Sequence, residues 1–228
     1  MENKPTPTIE DYLGIIYTLG RDSQEIYGAR LAELMNVSAP TVTVTLRRMV
    51  RDGWIEINPS KKISLTSKGV NAARAVIRRH MLTEWMLAKI LKIPWSEVHE
   101  EAHRIEHTIS GEVEKSLTTT LQAPESCPHG NPMPGSESES ASWVPLSACT
   151  PEEEVIIKRI HEFLEDDLEI LQYLEANNIM PGTIAFIKNK KKKKIVIRVP
   201  ATKKLVNLTY DTASNIFVAP IKESSGEK

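Results

Sequence analysis

The stretch from Val98 to His107, VHEEAHRIEH, is the part of this sequence best suited to chemistry, because it holds three of the six histidines with carboxylates between them. It has no glycine or proline, and its alanine, arginine, isoleucine and glutamates are acceptable in a helix. At about 100° per residue, four side chains of such a helix fall within an arc of roughly 100° on one face. They are His99, His103, Glu106 and His107. Imidazoles and carboxylates that converge in this way suit a divalent first-row metal ion.

Two other interpretations of this stretch remain open. A solvated charged helix is the simpler one, and it suits Glu100, Glu101 and Arg104. A mostly polar stripe, however, faces a core only if something compensates it. The other is a zinc hydrolase, because residues 99–103 have the sequence HEEAH and fit H-E-x-x-H, with Glu100 as the base. Such an enzyme keeps one metal position open for water, whereas two further residues of the same face would help to fill it.

Length and composition restrict the class of protein. The chain has 228 residues, a net charge of −1 and 40% hydrophobic residues, which suits one large domain or two smaller ones. It contains no run of 18 apolar residues, and its N-terminus lacks the layout of a signal peptide. Cys127 and Cys149 form no metal spacing and no framework of several bridges, although a single bridge between them stays open. We therefore expect a cytoplasmic protein with no membrane partner and no small organic ligand.

The near-neutral total charge hides a basic segment. Between Arg30 and Arg79 there are ten lysines and arginines and three acidic residues, a local net charge of +7. A basic segment within a near-neutral protein indicates an anionic partner for that segment alone.

This basic segment has the pattern of a winged helix-turn-helix. A helix with the sequence ARLAELMNV is followed by a short turn and by a second helix over residues 39–52. Residues 54–57 and 63–66 alternate as strands around a basic tip and predict the wing. We expect double-stranded DNA as the partner, although a structural three-helix unit with a solvated basic face is the alternative. The predicted DNA-binding residues are Arg30, Ser38, Ala39, Pro40, Thr41, Thr43, Val44, Thr45, Arg47, Arg48, Arg51, Lys61 and Lys62.

The middle of the chain predicts two long helices. The first runs from Lys68 to about Leu91, with His80 and Glu84 one turn apart on a shared face. The second carries the VHEEAHRIEH stretch and continues to about Leu121. The very apolar end of the first helix is typical of a subunit interface, and a symmetric homodimer suits a protein that binds palindromic half-sites.

The chain resembles the diphtheria toxin repressor family, because six motifs occur in the order found there. They are EDYLGIIY, SAPTVTVTLRRMVRDG, LTSKG, RRHMLTE, VHEEAHRIEH and HGNPMPG. The resemblance covers the first 135 residues or so well and the C-terminal part loosely. It implies an iron- or manganese-dependent transcriptional repressor with two metal sites in each subunit.

The resemblance also implies the ligands of both sites. The primary site would use Asp11, His103, Glu106 and His107. The ancillary site would use His80, Glu84 and His99, completed by two acids of the C-terminal part, Asp166 and Glu169. The alternatives for these acids are Glu165 and Asp167. This assignment puts the two histidines of HEEAH on different ions, which argues against the hydrolase.

The implied primary ligands differ from both branches of the family. The iron branch has Met in place of Asp11 and Cys in place of His103, while the manganese branch has Asp and Glu there and a further acid where this chain has Gly14. Carboxylates suit Mn²⁺ and imidazoles suit Fe²⁺. We therefore expect either Mn²⁺ or Fe²⁺ as the cofactor, with Zn²⁺, Co²⁺ or Ni²⁺ as surrogates.

The predicted fold class is mainly α with a small β part. We expect a winged helix-turn-helix over residues 1–70, a helical metal-binding and dimerisation domain over 71–135, a linker over 136–150 and a C-terminal SH3-like, FeoA-like β-barrel over 151–228. In the last domain residues 162–175 predict a helix, and lysines 190–194 fall where a hairpin turn belongs. The predicted strands are 184–187, 194–199, 204–208 and 216–218.

Together these patterns favour a non-enzymatic, homodimeric repressor that binds operator DNA when loaded with Mn²⁺ or Fe²⁺ and controls metal-ion homeostasis. Besides the hydrolase, a metal-independent winged-helix regulator that senses another signal through its C-terminal domain remains open. A chelator separates the two regulators, because only the metal-dependent one would lose operator binding.

Overall fold

The computed structural model describes residues 4–221 and divides into two compact units between Arg79 and His80. Residues 1–3 and 222–228, with which the predicted terminal domains begin and end, lie outside the described residues. The predicted boundaries at residues 70 and 135 stay predictions. Within 4–221, no helix combines the length and the apolar character needed to cross a lipid bilayer.

Three helices build the N-terminal unit: α1 (Pro7–Arg21), α2 (Gly28–Leu34) and α3 (Ala39–Arg51). Each has an apolar stripe at helical spacing, and the side chains of these stripes are buried. Core side chains that are at most 2% exposed are Ile9, Leu13, Ile16, Leu31, Val42 and Met49. This core fixes α3 on the surface of the unit, with its polar face outward.

The predicted helix-turn-helix and wing are confirmed. Ser38 caps α3, because its hydroxyl accepts a hydrogen bond from the backbone N–H of Thr41. Strand β1 (Ile55–Ile57) then pairs antiparallel with β2 (Ile63–Leu65). The side chain of Asn58 holds the hairpin tip by accepting a hydrogen bond of 2.9 Å from the backbone N–H of Lys62.

The helices of the middle region are more broken than predicted. Helix α4 (Ser67–Trp85) continues into a π-helical turn (Met86–Leu91), and α5 (Val98–Ile105) passes into a 3-10 turn (Glu106–Thr108). The prediction of one unbroken helix to Leu121 is wrong, because the backbone is extended at Ile109. Helix α6 (Gly111–Thr120) begins anew with Ser110, whose hydroxyl accepts from the N–H of Val113.

Six antiparallel strands form the C-terminal sheet in the order β3-β8-β4-β5-β6-β7. They are β3 (Val144–Pro145), β4 (Glu154–Ile160), β5 (Ile184–Lys191), β6 (Lys194–Val199), β7 (Lys204–Thr209) and β8 (Ile216–Pro220). A short helix α9 (Tyr210–Ser214) separates β7 from β8. Lys192 and Lys193 form the predicted turn between β5 and β6.

The sheet is larger than the sequence pattern predicted. Strand β4 falls outside the predicted strands, and β3 lies within the predicted linker, where it pairs with β8. The predicted helix over residues 162–175 is two helices, α7 (Glu162–Glu165) and α8 (Leu168–Ala176). The break arises at Asp167, whose carboxylate caps α8 by accepting from the N–H of Ile170 at 3.0 Å.

The segment between α6 and β3 is irregular but buried. Residues 127–134 are all buried. Trp85 donates its indole N–H to the carbonyl of Ser126 at 2.6 Å, and Trp95 donates to the carbonyl of Pro128 at 3.0 Å. Both cysteines have free thiols, so they are not bridged. This segment therefore packs into the C-terminal unit instead of behaving as a flexible connection.

Gly69 allows α4 to pack against the chain that leads into the wing. A Cβ at this position would overlap the carbonyl oxygen of Trp54, so a side chain forces the backbone to shift. We expect Gly69→Ala to lower the free energy of unfolding by about 1–3 kcal/mol, measured by urea denaturation. Gly14→Ala is the control, because a Cβ there would lie 4.0 Å from Ile77, an ordinary contact. Equal stability of the two variants would contradict this close approach.

Candidate metal centre and nucleic-acid interface

The C-terminal unit gathers four potential metal ligands in what we call the two-histidine pocket: His80, Glu84, His99 and Glu165. They come from α4, α5 and α7, and their ligand atoms lie within 4.8 Å of one another. Glu84 Oε1 lies 3.2 Å from His80 Nε2 and 3.2 Å from His99 Nδ1. The structure thus brings together three predicted ancillary ligands and one acid named as an alternative.

The two acids predicted to complete this pocket lie in different places. Asp166 is exposed, with Oδ1 3.4 Å from His99 Nε2. Glu169 is exposed on α8 and belongs to no ligand group among the described residues. Glu165 is buried instead, with Oε2 2.8 Å from His99 Nδ1. The break between α7 and α8 explains the difference, because Glu165 and Glu169 are not on one continuous helix.

Two of the predicted primary ligands, His103 and His107, lie beside a third, the buried carboxylate of Glu106, which is 4% exposed. Its Oε1 lies 3.3 Å from His103 Nδ1 and 3.4 Å from His107 Nε2, and its Oε2 lies 2.5 Å from His80 Nδ1. His80 therefore contacts both this group and the two-histidine pocket. Asp11, the fourth predicted primary ligand, is half-buried on α1 of the N-terminal unit.

The structure adds two potential ligands that the sequence pattern did not single out. Glu84, Cys127 and His129 form a third group, which we call the thiol pocket, and all three residues are buried. His129 Nδ1 lies 3.4 Å from Glu84 Oε1. The available signal was the C-x-H spacing of residues 127–129, whose histidine begins the motif HGNPMPG, but nothing local shows that this loop returns to α4.

The donor atoms fit divalent metal ions. Glu84 Oε2 and His129 Nδ1 are buried and have no hydrogen-bond partner within the described part of the chain. A buried polar atom without a partner costs about 1–3 kcal/mol, so such atoms in folded proteins call for a ligand or another explanation. Carboxylate, imidazole and thiol donors together match Mn²⁺, Fe²⁺ and Zn²⁺.

The carboxylates favour protonated histidines in the metal-free protein. Burial alone would lower the pKa of His80, but the charge of Glu84 and the hydrogen bond with Glu106 raise it to about 9. Burial would raise the pKa of Glu106, but hydrogen bonds with His103 and His80 lower it to about 2. Metal binding must therefore displace a proton from the imidazole of His80.

The HEEAH residues are not arranged as a hydrolase site. Glu100 forms an ion pair with Arg104, and both side chains are 58% exposed. His99 and His103 belong to different ligand groups among the described residues. Glu100 therefore has no two-histidine zinc site beside it on which to act as a base.

The exposed face of α3 carries most of the predicted DNA-binding residues. Thr41, Thr43, Val44, Arg47, Arg48 and Arg51 are exposed, and so are the cap residues Ser38, Ala39 and Pro40. Val44 is 67% exposed on this face. A valine can contact a thymine methyl group but cannot form a hydrogen bond with a base.

The cationic side chains around α3 differ in how available they are for contact with DNA phosphates. Four of them face an acidic side chain at 2.6–3.7 Å: Arg30, Arg48, Arg51 and Lys62. Arg47 and Lys61 line the groove between α3 and the wing, and neither forms an ion pair with a described residue. These two cations are therefore the ones most ready to contact phosphate.

Known protein families match successive parts of the chain. Residues 4–63 match the N-terminal DNA binding domain of iron dependent repressors, residues 66–135 match their metal binding and dimerisation domain, and residues 144–220 match the FeoA domain. The iron-dependent repressor IdeR of Mycobacterium leprae (strain TN) is 31% identical over 96% of this chain and 100% of its own length. The chain belongs to the iron-dependent repressor family.

Further similarities agree with this family. The diphtheria toxin repressor of Corynebacterium glutamicum is 34% identical over 83% of this chain and 87% of its own length. A manganese-dependent transcriptional repressor solved in complex with manganese superimposes with a TM-score of 0.83 at 28% identity, over 93% of this chain and 100% of that chain. The predicted family and the predicted fold class are therefore confirmed.

The histidine–carboxylate pairs make the stability of the metal-free repressor depend on pH. The folded pKa of His80, about 9, lies above its ordinary value of 6.5, so its stabilising effect is complete below pH 6.5 and is lost as pH rises through 9. The folded pKa of Glu106, about 2, lies below its ordinary value of 4.5, so its effect is lost as pH falls from 4.5 toward 2. We expect the Tm of the metal-free protein to decrease from pH 6.5 to 9 and from pH 4.5 to 2.

Circular dichroism of chelator-treated protein measures this dependence. The variant His80→Gln should show a smaller decrease of Tm on the alkaline side, because a glutamine has no proton to lose. An equal decrease in both proteins would show that His80 is not the group that titrates there.

Proposed function

We propose that this protein is a cytosolic, homodimeric repressor that binds operator DNA when its ligand pockets hold Mn²⁺ or Fe²⁺. The observation that carries the proposal is the presence, in one chain, of buried histidine–carboxylate groups on α4, α5 and α7 and of a winged helix-turn-helix. Buried charged groups that can bind a metal ion are expected in a DNA-binding protein whose affinity for DNA depends on that ion. Membership of a repressor family supports this function over catalysis.

For the primary site, the proposed ligands are those that the family resemblance implies: Asp11, His103, Glu106 and His107. For the ancillary site, the contacts of the two-histidine pocket favour His80, Glu84, His99 and Glu165, with Asp166 at its exposed edge. A bound ion changes DNA affinity only by as much as it prefers one conformation to the other. The coupling between metal binding and DNA binding is therefore set by the difference between the metal affinities of the two protein conformations.

Exposed apolar side chains support the homodimer. Ile90 and Leu91 of the π-helical turn are 51% and 58% exposed, and Val113 of α6 is 42% exposed. All three lie within the residues that match the metal binding and dimerisation domain. A symmetric dimer would present two α3 helices to half-sites about 34 Å apart, the spacing of successive major grooves.

The choice between the two metals follows from the ligands. The proposed primary ligands are oxygen and nitrogen atoms, of which carboxylates suit Mn²⁺ and imidazoles suit Fe²⁺. We propose that both ions activate, with Mn²⁺ slightly favoured, and that Zn²⁺ binds tightly but activates less. We propose no enzymatic activity, because Glu100 is paired with Arg104 away from any ligand group among the described residues.

The metal response can be tested at Glu106. We expect Glu106→Gln to raise the half-maximal Mn²⁺ or Fe²⁺ concentration for DNA binding at least about tenfold, because the charged ligand is lost. The measurement is fluorescence anisotropy of a duplex selected from random sequence in the presence of Mn²⁺, titrated anaerobically with each metal and then with a chelator. Glu100→Gln is the matched control and should respond like the wild type.

Three outcomes would contradict this account. A wild-type response in Glu106→Gln would show that Glu106 is not a ligand. DNA binding by the wild type that a chelator leaves unchanged would favour a metal-independent regulator instead. Peptide hydrolysis by the wild type that is lost in Glu100→Gln would support the interpretation of this protein as a zinc hydrolase.

The phosphate contacts can be tested at Arg47. We expect Arg47→Ala to weaken binding to specific and to random duplex by similar factors and to flatten the log-log salt dependence by about one unit. The control is Arg198→Ala, an exposed arginine of β6 in the other unit, for which the slope should stay the same. An unchanged slope with an altered sequence preference for Arg47→Ala would assign this side chain to base contacts.

A further inference from the structure

A concentrated positive charge lies in the C-terminal sheet where β5 turns into β6. Residues 188–194, which we call the lysine hairpin, have the sequence KNKKKKK, with six lysines and no acidic residue. The whole chain has a net charge of −1, so this short stretch is strongly basic within a near-neutral protein. Lysines 191–194 are all exposed. Such a concentration of one charge indicates an anionic partner.

Acidic side chains leave most of this charge unbalanced. Lys188 Nζ lies 4.0 Å from Glu152 Oε2, and Lys190 Nζ donates to the carbonyl oxygen of Cys149 at 3.2 Å. Lysines 191–194 form no ion pair with any residue between 4 and 221. Opposed residues of a hairpin lie about 5 Å apart, which is less than the screening length of about 8 Å at physiological ionic strength. These lysines therefore act together on an anion.

The needs of the sheet do not account for the lysines at the tip. Lys191 and Lys194 are directly opposite each other in the register of β5 and β6, and like charges in opposed positions destabilise a sheet. Lys192 and Lys193 form the turn, whereas two-residue hairpin turns favour asparagine, aspartate and glycine. An anion that contacts several of these lysines at once would offset their repulsion.

The lysine hairpin extends beyond the neighbouring strand β4. The register pairs β4 with residues 184–186 of β5, whereas β5 and β6 stay paired as far as Lys191 and Lys194. Lysine on the open side of β5 serves to prevent pairing with another chain. That role does not account for the turn lysines, or for Lys194, whose other side is paired with Thr209 of β7. The projecting tip is therefore accessible to a large partner.

The side chains of the tip favour phosphate groups over bases or lipid. Lysine is a compact charge on a flexible stem, whereas base recognition uses the planar donors of arginine, asparagine and glutamine. A contact with a membrane surface uses apolar side chains beside the cations, and residues 190–194 are all lysine. The wing of this chain has the same form, because Lys61 and Lys62 lie at the tip of an antiparallel hairpin. Duplex DNA is therefore the partner that fits.

We propose that the lysine hairpin is a second DNA-binding surface, which contacts the phosphates of duplex DNA regardless of sequence. The proposal rests on the DNA binding of the proposed function and adds a contact that needs no metal, because the hairpin has no ligand group of the described chain. DNA held by α3 and the wing meets a surface of the same chain at an effective concentration set by the chain between them. The hairpin therefore adds to the affinity for operator and for random duplex alike.

The salt dependence of DNA binding tests this surface. We expect the double variant Lys192→Gln/Lys193→Gln to bind a long random duplex more weakly and to flatten the log-log salt dependence by about one to two units. The measurement is fluorescence anisotropy of the full-length protein in the presence of a chelator. Lys203→Gln/Lys204→Gln is the matched control, because it removes the same charge from the exposed turn at the other end of β6 and should keep the wild-type slope. Equal slopes in the two variants would overturn the proposal.

Chemical protection of the lysines tests the contact without any substitution. We expect the random duplex to slow acetylation of lysines 191–194 by acetic anhydride severalfold, measured by mass spectrometry, while Lys203 and Lys204 keep their rates. Single-stranded RNA and vesicles of phosphatidylglycerol serve as alternative polyanions at the same phosphate concentration. Unchanged rates at lysines 191–194 with duplex, or stronger protection by RNA or by the vesicles, would overturn DNA as the partner.

The same proteins separate this inference from the proposed function. A slope that depends on Lys192 and Lys193 in a protein whose DNA binding ignores metal would contradict the proposed function and support the second surface. A metal-dependent operator response with the same affinity and the same slope in wild type and in Lys192→Gln/Lys193→Gln would support the proposed function and overturn the second surface. Circular dichroism confirms that each variant is folded.

Discussion

The buried carboxylate of Glu84 is the constraint on which the C-terminal unit depends. Its side chain is inaccessible to solvent and has three imidazoles, from His80, His99 and His129, at 3.2–3.4 Å. Burial would raise the pKa of Glu84, but the charges of His129 and His80 hold it well below its ordinary value. A buried charge left unpaired costs several kcal/mol, so this group must always face protonated histidines or metal ions. Metal binding replaces one set of positive charges with another.

The loop that contains Gly130 lies against the other side of these ligand residues, and its conformation requires a glycine. Gly130 has a φ of 86°, and a Cβ there would overlap the carbonyl oxygen of Lys158 on β4. This close approach brings the loop onto the sheet, where Asn131 connects Arg159 to Glu165 through two hydrogen bonds of 2.5 Å. The ligand positions on α7 therefore depend on the sheet as well as on the helices, and a single buried network joins the helical region to the C-terminal domain.

The local sequence pattern predicted much of this structure. It did not predict the positions of residues that depend on contacts between distant parts of the chain. The helical spacing of the histidines and the hydroxyl- and arginine-bearing α3 were both evident from residue type and period alone. Glu169 was preferred over Glu165 because the family resemblance implies two ligands one helical turn apart, whereas Asp167 caps a new helix between Asp166 and Glu169. Cys127 and His129 gave no periodic signal, since their position depends on a loop that packs against α4 and β4. Such contacts join residues far apart in the chain, and no local propensity encodes them.

The central claim is that metal and operator DNA favour the same conformation, and reciprocity tests it most directly. If Mn²⁺ tightens DNA binding by some factor, the operator duplex must tighten Mn²⁺ binding by the same factor. Isothermal titration of the protein with Mn²⁺, with and without a saturating operator duplex, measures this, with a scrambled duplex as control. The account predicts a higher Mn²⁺ affinity with operator, by the factor found in the DNA titration. An affinity for Mn²⁺ that the operator leaves unchanged would contradict it.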